Sequence, residues 1–209
     1  MPRYARSERE ALADLMLELG PDAPTVNEGW TTRDLAAHLV LRERRPDAAG
    51  GILLPPLRGH AERVRLRIAA RPWPRLMDQV RRPPAWSPVS NPVTDELANT
   101  MEFFIHHEDV RRASPGWLPR DLPAGLQAVL WRRCAGLARL ALRRFPADVL
   151  VQAPGYGALS VGRGGEPVRV VGSPGELTLF LSGRQRVARV QVDGPPALAG
   201  QLRGADLGM

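Results

Sequence analysis

Two side chains that can bind a metal ion lie one helical turn apart in the segment 101–110. Glu102 and His106 are four residues apart, and at about 100° per residue both fall on one face of a helix. A carboxylate and an imidazole placed in this way can bind the same metal ion. Asp109 falls near the same face, whereas His107 points about 100° further round. We therefore expect His107 to be a neighbour of the site rather than a ligand.

A third ligand must come from another part of the chain, and the sequence contains only four histidines. His38 lies in the middle of a second apolar stripe, on the face that should meet the core. His60 follows a glycine, and we expect it in an exposed loop. Two histidines and a carboxylate from facing helices form metal sites in helical bundles. His38, Glu102 and His106 are thus the candidate ligand set.

The same residues also fit an ordinary structural role. A histidine on an apolar helix face is more often a hydrogen-bonded core residue than a ligand, and Glu-x3-His is a loose motif. Asp34 and Asp109 are candidate partners for the free imidazole N–H groups, or else charges on a helix surface. Spacing alone leaves these alternatives open.

The elements that must position these side chains are helices. Residues 95–113 lack Pro and Gly, and Leu97, Met101, Phe104 and Ile105 recur at helical spacing. Residues 31–34 resemble a capping box that opens a helix over 32–45. Further helices are predicted at 4–19, 58–70, 74–81 and 124–144, with a long loop over 46–58.

Near residue 145 the sequence pattern changes from long helices to short strands. Strands are predicted at 148–153, 158–161, 167–171 and 187–192, and short helices after Ser173 and over 196–204. The sequence therefore predicts an α+β protein, with a helical metal-binding domain over 1–145 and a small α+β domain over 146–209.

Composition excludes several classes of function. The net charge is +7, but all 29 basic residues are arginines, which are scattered and mostly interleaved with acids, so nucleic-acid binding is not expected. A single cysteine excludes a disulfide framework and a multi-cysteine zinc site. No apolar run is long enough for a transmembrane helix, and the charged first ten residues lack a signal-peptide core. We expect a cytoplasmic protein with no membrane partner.

The segments 30–39 and 102–106, followed by a small α+β tail, resemble the DinB-like superfamily. Within it, the chain is most similar to the mycothiol-dependent maleylpyruvate isomerase family. The resemblance implies a four-helix bundle that holds a divalent metal, usually taken as zinc, with His38, Glu102 and His106. The doubled histidine and the charged residues 108–112 that follow it indicate a distinct subfamily.

The C-terminal segments 172–184 and 190–194 are similar to the C-terminal domain of that family. The family's Gly-Arg pair falls on Gly183 and Arg184, which implies that Arg184 is a catalytic residue binding a carboxylate of the substrate or thiol. A cation at a helix C-terminus is an equally good interpretation of Arg184.

The resemblance implies an enzyme that uses a thiol, mycothiol, as co-substrate on a small electrophile. The metal would bind and deprotonate the thiol, and the thiolate would attack a carbon, giving isomerisation or S-transfer. The chain itself offers no nucleophile, since Cys134 is expected to pack in a helix. We expect the thiol to bind in the metal pocket, between the bundle and the 146–209 domain.

Other functions remain open alternatives. A water-activating hydrolase would use the same metal, and a non-catalytic metal- or ligand-binding protein could share the fold. Nickel or iron would suit the ligand set as well as zinc. The oligomeric state is open, with a homodimer among the alternatives.

Overall fold

The computed structural model describes residues 3–52, 54–91, 94–162 and 164–208. It is a mixed α+β structure, as predicted, with helices along most of the chain and one four-stranded sheet. Packing divides the chain into two units, Met1–Trp117 and Leu118–Met209. The helix that follows residue 123 belongs by packing to the second unit. The division at residue 117 therefore lies N-terminal of the domain boundary predicted at residue 145.

The first unit is helical. Its helices are α1 (Tyr4–Leu19), α2 (Thr32–Arg44), α3 (Pro46–Ala49), α4 (Arg58–Ala69), α5 (Trp73–Arg81) and α6 (Asp95–Arg111), with 3-10 turns at Gly50–Ile52 and Pro55–Leu57. The five predicted helices here are confirmed to within two residues at each end. The predicted long loop over 46–58 is wrong in part, because α3 and the two 3-10 turns lie in it.

Side chains cap the N-termini of α1 and α2. The capping box of α2 is confirmed: the Thr31 hydroxyl accepts from the backbone N–H of Asp34, and the Asp34 carboxylate accepts from that of Thr31 at 3.0 Å. The N-terminus of α1 is capped by a distant residue, because the Glu96 carboxylate accepts the backbone N–H groups of Tyr4 and Ala5, each at 3.1 Å. This cap ties the start of α1 to the first turn of α6.

Helix α6 is the central helix of the first unit. Every residue from 103 to 110 is buried, and α6 packs along α1. Leu97, near the N-terminus of α6, was predicted to belong to the buried apolar stripe, but it is 71% exposed. The buried face passes through Asn99 and Phe103 instead, so this face carries polar as well as apolar groups into the core.

A buried ion pair joins four helices at the base of that face. The Arg9 guanidinium in α1 donates to both oxygens of Glu43 in α2, at 2.6 and 2.9 Å, and to the Val80 carbonyl in α5 at 3.0 Å. It also lies 3.2 Å from Asp95 in α6 and 4.1 Å over the ring of Phe103. Burial of these charges is possible because nearly every donor of Arg9 is satisfied.

The second unit contains the sheet. Its elements are α7 (Ala124–Ala141), β1 (Val149–Ala153), β2 (Gly157–Val161), β3 (Val168–Val171), α8 (Pro174–Leu181), β4 (Gln191–Asp193) and α9 (Pro196–Arg203). The strand order is β2-β1-β3-β4, with β1 parallel to β3 and the other pairs antiparallel. Helix α8 is buried throughout and packs on α7.

Two predicted elements of this unit are longer than the observed ones. Helix α7 ends at Ala141 rather than at residue 144, because a turn over 142–145 precedes Pro146. The strand predicted over 187–192 forms only from Gln191. The backbone N–H groups of Val187 and Ala188 both donate to the carbonyl of Arg184, each at 3.0 Å, so they are not free to pair in the sheet.

Within the described residues, no helix combines the length and apolarity that crossing a bilayer requires.

The buried ion pair should be essential for the stability of the first unit. Replacing Glu43 by Gln is expected to lower the free energy of unfolding by about 3 kcal/mol, because Arg9 stays buried after losing its main partner. Urea denaturation followed by circular dichroism measures this change. The double variant Arg9→Met/Glu43→Leu should recover most of the loss, since it leaves neither of the two charges buried.

The matched control is Glu10→Gln, which breaks the exposed ion pair between Arg6 and Glu10. It should leave the free energy of unfolding nearly unchanged, because solvent screens this pair. If Glu43→Gln costs no more than the control, the buried pair does not hold the four helices together.

Candidate metal centre

Three potential metal ligands converge in the first unit. His38 comes from α2, and Glu102 and His106 come from α6; one ligand atom of each lies within 4.8 Å of the others. The Nε2 atoms of His38 and His106 lie 3.4 and 3.3 Å from the same carboxylate oxygen, Oε1 of Glu102. The two imidazole rings meet edge to face, with centroids 5.2 Å apart. The structure thus brings together the three residues that the sequence predicted.

The spacing of these atoms fits a small divalent cation. Ligand atoms bound at 2.0–2.1 Å in a tetrahedral arrangement lie about 3.3–3.4 Å apart. The two nitrogen–oxygen distances in the cluster have these values. They are longer than the usual N–H···O hydrogen bond of about 2.9–3.0 Å. A shared ion and a pair of long hydrogen bonds both fit these distances.

The protonation of the two histidines decides whether this arrangement is favourable. Two neutral ring nitrogens that present lone pairs to one carboxylate oxygen would repel it. The arrangement is favourable only with protons on the nitrogens or with a cation among the three ligand atoms. The side chains of His38, Glu102 and His106 are 14%, 23% and 10% exposed, so ions can reach them from solvent.

Asp109 fixes the orientation of the His106 ring. Its Oδ2 lies 2.9 Å from Nδ1 of His106, and because a carboxylate only accepts, Nδ1 carries the proton. In the neutral ring this leaves the Nε2 lone pair for a metal, a common arrangement for ligating histidines. Burial alone would lower the pKa of His106, but the hydrogen bonds to Asp109 and Glu102 outweigh it, so the pKa is raised. The prediction that Asp109 accepts a hydrogen bond from an imidazole N–H is confirmed.

The loop between α1 and α2 holds Asp109 in place. The Asn27 amide donates to Oδ2 of Asp109 at 3.4 Å, and the backbone N–H of Val26 donates to the Asp109 carbonyl at 2.9 Å. Gly29, with φ at 75°, turns this loop back towards α2 in a conformation that suits glycine. The loop therefore reaches the C-terminal half of α6.

His38 has a different environment. The ring of Trp30 lies against it at 5.5 Å between centroids, and Arg65 stacks over Trp30 at 5.0 Å. Burial lowers the pKa of His38, and the hydrogen bond to Glu102 offsets this only in part. The prediction that Asp34 accepts a hydrogen bond from an imidazole N–H is wrong. Its carboxylate instead caps α2 and pairs with Arg65 at 2.5 Å. His38 thus favours the neutral form that a metal ligand needs.

Arg42 is the second cation at Glu102. Its Nε lies 3.4 Å from Oε1, and its two other nitrogens donate to the Asn99 side chain and to the Ala98 carbonyl. Burial would raise the pKa of Glu102, but hydrogen bonds from His106 and His38, together with the charge of Arg42, lower it well below the usual range. Glu102 is therefore ionised under ordinary conditions.

Sequence reasoning missed three residues of this site: Arg42, Trp30 and Asn27. Arg42 is four residues after His38, and its position on the same helical face was a usable signal. The roles of Trp30 and Asn27 depend on how the loop folds back on α6, for which the sequence offered no pattern.

The two other histidines lie away from the cluster. His107 points to α1, where its Nδ1 lies 2.9 Å from Oε2 of Glu8. His60 lies in the first turn of α4 rather than in the expected loop, and its Nε2 lies 3.2 Å from Asp47. Its side chain is 42% exposed, as expected for a surface position.

The two remaining candidate residues belong to the second unit. Arg184 follows α8, and its Nη1 donates to the carbonyl of Ser182 at 2.6 Å. Cys134 is buried in α7, with its sulfur 3.8 Å from the Thr178 hydroxyl. Burial raises the pKa of the Cys134 thiol to about 11. The prediction that Cys134 packs in a helix is confirmed.

Comparisons of the chain with protein-family models, curated proteins and solved structures found no match in any of the three.

The two adjacent histidines should differ in their effect on metal binding. His106→Ala is expected to lose most of the bound Zn²⁺ or Co²⁺, whereas His107→Ala should keep it, because only His106 faces Glu102. Elemental analysis after metal loading and desalting measures the retained metal. Equal loss in both variants would show that the cluster does not bind the ion; circular dichroism controls for unfolding.

Metal affinity should fall as the pH is lowered through the raised pKa of His106. Below that pKa the ring carries a second proton, which the metal must displace, so affinity should drop about tenfold per pH unit. Competition with a chelator of known affinity, from about pH 6 to 8, measures this slope. Asp109→Asn removes the charge that raises the pKa, so the drop should begin at a lower pH. An affinity that is independent of pH over this range would contradict the assignment of His106 as a ligand.

Proposed function

We propose that the protein is a divalent-metal-dependent enzyme of the DinB-like type that uses a small thiol such as mycothiol on a small electrophile. The reaction class is isomerisation or S-transfer. The observation that supports this proposal is the convergence of His38 and His106 on one oxygen of Glu102, from two helices of the same unit. Helices α1, α2, α4 and α6 are the members of the proposed bundle.

The metal would be held by His38, Glu102 and His106. Zinc is the first choice, with nickel or iron compatible with the same donors. Bound by three protein ligands, zinc keeps at least one position for an outside molecule and lowers the pKa of a thiol or water there.

The residues around these ligands have defined tasks in this proposal. Asp109 holds the proton on Nδ1 of His106, which would leave the Nε2 lone pair for the metal. Arg42 holds Oε1 of Glu102 in its ionised form. Trp30 covers one side of the His38 ring and limits its rotation. Together they keep the three donor atoms aligned before any metal arrives.

The proposal assigns the nucleophile to an outside molecule. Cys134 is buried, its pKa is about 11, and it belongs to the second unit. At neutral pH such a thiol is almost entirely protonated and unreactive. The nucleophile is then water or a free thiol, and the resemblance to the mycothiol-dependent family favours the thiol. Arg184 is assigned to an anionic group of the thiol or substrate on the same resemblance.

Thiol binding to the metal site can be tested directly with Co²⁺-loaded protein. Mycothiol should produce a sulfur-to-cobalt charge-transfer band in the near ultraviolet, because the thiolate becomes a cobalt ligand. S-methyl mycothiol should give no band, since its sulfur lacks the proton whose loss creates the thiolate. His107→Ala should behave like the native protein, and His38→Ala should show no band.

The outcome of this titration also separates the alternatives. If mycothiol and simpler thiols give no band at millimolar concentration, the thiol-dependent function is wrong. A hydrolytic activity that His38→Ala abolishes would then replace it by a metal-dependent hydrolase. Metal binding with neither property would leave a non-catalytic binding protein.

A further inference from the structure

The β4 edge of the sheet is protected against pairing with another strand. Helix α9 packs beside β4, and Nη2 of Arg203 donates to the carbonyl of Val192 at 2.9 Å. The strand has only three residues, and the side chains of Gln191 and Asp193 are hydrogen-bonded to each other at 3.2 Å. Short edge strands with polar and charged side chains pair poorly with other strands.

The β2 edge, at the other side of the sheet, has none of these protective features. Its five residues, Gly-Ala-Leu-Ser-Val, include no charged residue and no proline. The register with β1 is continuous over the whole strand, without a bulge. Ala158 and Ser160 are exposed. A regular, uncharged edge of this kind is a template for pairing with another strand.

The direction of the hydrogen-bonding groups in β2 follows from the pairing of β1. The carbonyls of Asp148, just before β1, and of Gln152 accept backbone N–H groups at the start of β3 and just after its end, at 2.8 and 3.1 Å. The even-numbered residues of β1 therefore face β3, and the odd-numbered residues face β2. The partners of the latter are the odd-numbered residues of β2. This leaves the N–H and C=O groups of Ala158 and Ser160 directed away from the sheet.

The outward groups of Ala158 and Ser160 accept and donate no hydrogen bond within the part of the chain that the structure describes. Between them, Leu159 lies on the inner face of the sheet, directly opposite the fully buried Val151 of β1. Leu159 itself is only half-buried. The edge thus offers open backbone groups next to an apolar side chain that the second unit covers incompletely.

We propose that β2 pairs with β2 of a second copy of this chain, antiparallel about a two-fold axis at Leu159. In this register Ala158 lies opposite the partner's Ser160 and exchanges two backbone hydrogen bonds with it. The symmetric contact does the same, so every outward group of both strands is satisfied. The two Leu159 side chains face each other in a non-hydrogen-bonded pair, in which opposite side chains are closest.

A second copy fits this edge without any additional sequence element. The two-fold axis keeps the inner faces of both sheets on one side, so that Leu159 meets an equivalent apolar side chain. On the outer face, the small side chains of Ala158 and Ser160 lie opposite each other and leave no clash. The edges that remain after pairing are the two protected β4 strands, so assembly stops at two copies. The interface is independent of the metal cluster and of the function proposed for it.

The association of the full chain can be measured by sedimentation velocity from about 10 µM to 1 mM, the range of weak interfaces. We expect a dimer that dissociates on dilution, because one short strand covers less surface than a permanent interface. Ser160→Pro removes an outward N–H that β1 does not use, and proline is tolerated on edge strands. It should weaken the dimer about tenfold or more, since the two-fold axis makes the loss occur twice.

Ser160→Ala is the matched control, because it changes the same side chain and keeps the backbone N–H. Its dissociation constant should stay within about twofold of the native value. Circular dichroism of both variants checks that the sheet is retained.

A disulfide tests the register of the proposed pair. Leu159→Cys places two thiols opposite each other and should cross-link two copies under mild oxidation, seen as a band of doubled mass on a non-reducing gel. Ser160→Cys should not cross-link, because its thiol faces the partner's Ala158 and the two introduced thiols are too far apart for a disulfide. Cys134 does not interfere, since it is buried and the pKa of its thiol is about 11.

Three results would overturn the proposal. The first is a chain that stays monomeric up to millimolar concentration. The second is a dimer that Ser160→Pro and Ser160→Ala affect equally. The third is cross-linking of Ser160→Cys as efficient as that of Leu159→Cys. Either of the last two results would place the self-association on another surface.

Discussion

The burial of charge where α1, α2, α5 and α6 meet is the constraint on which the rest of the first unit depends. Arg9 and Glu43 are 2% and 1% exposed, and a charge so deeply buried is tolerated only with a complete set of partners. Those partners lie on α1, α2, α5 and α6, which fixes the register of the four helices. Next to Glu43 on α2, Arg42 contacts Asn99 and Glu102 of α6. One turn before Arg42 on α2, His38 contacts the same carboxylate of Glu102. The candidate metal site thus lies at the outer end of a row of polar contacts that begins in the core.

The sequence predicted the parts of this arrangement that depend on local spacing. The distance of four residues between Glu102 and His106 and the capping box at Thr31 are properties of one helix, and both could be inferred without tertiary structure. The partner of Asp34 could not, since Arg65 competes for that carboxylate from another helix. The shortened strand after residue 187 follows from a turn at Arg184, which alternation of side chains does not reveal.

The use of arginine in place of lysine explains why net charge is a poor guide to the surface of this protein. Arg9, Arg65 and Arg112 are 2%, 9% and 5% exposed, and each stacks on an aromatic ring within 5.0 Å. A guanidinium can stack and donate several hydrogen bonds at once, which an ammonium cannot do. Part of the positive charge counted in the formal net charge of +7 is therefore buried inside the first unit rather than displayed on its surface.

The contact of the loop before α2 with Asp109 has a consequence for synthesis of the chain. Asn27 and Asp109 are 82 residues apart, and His38 and Glu102 are 64 apart. On the ribosome, α1 and α2 emerge first, with Arg9, Glu43 and His38 lacking their partners on α6. Nascent α1 and α2 cannot complete this polar face by local folding, because such distant contacts form only after the intervening chain has emerged. A cation that bound His38 at this stage would meet a single ligand, so metal binding at the proposed site would have to wait until the segment that ends at Asp109 has left the ribosome.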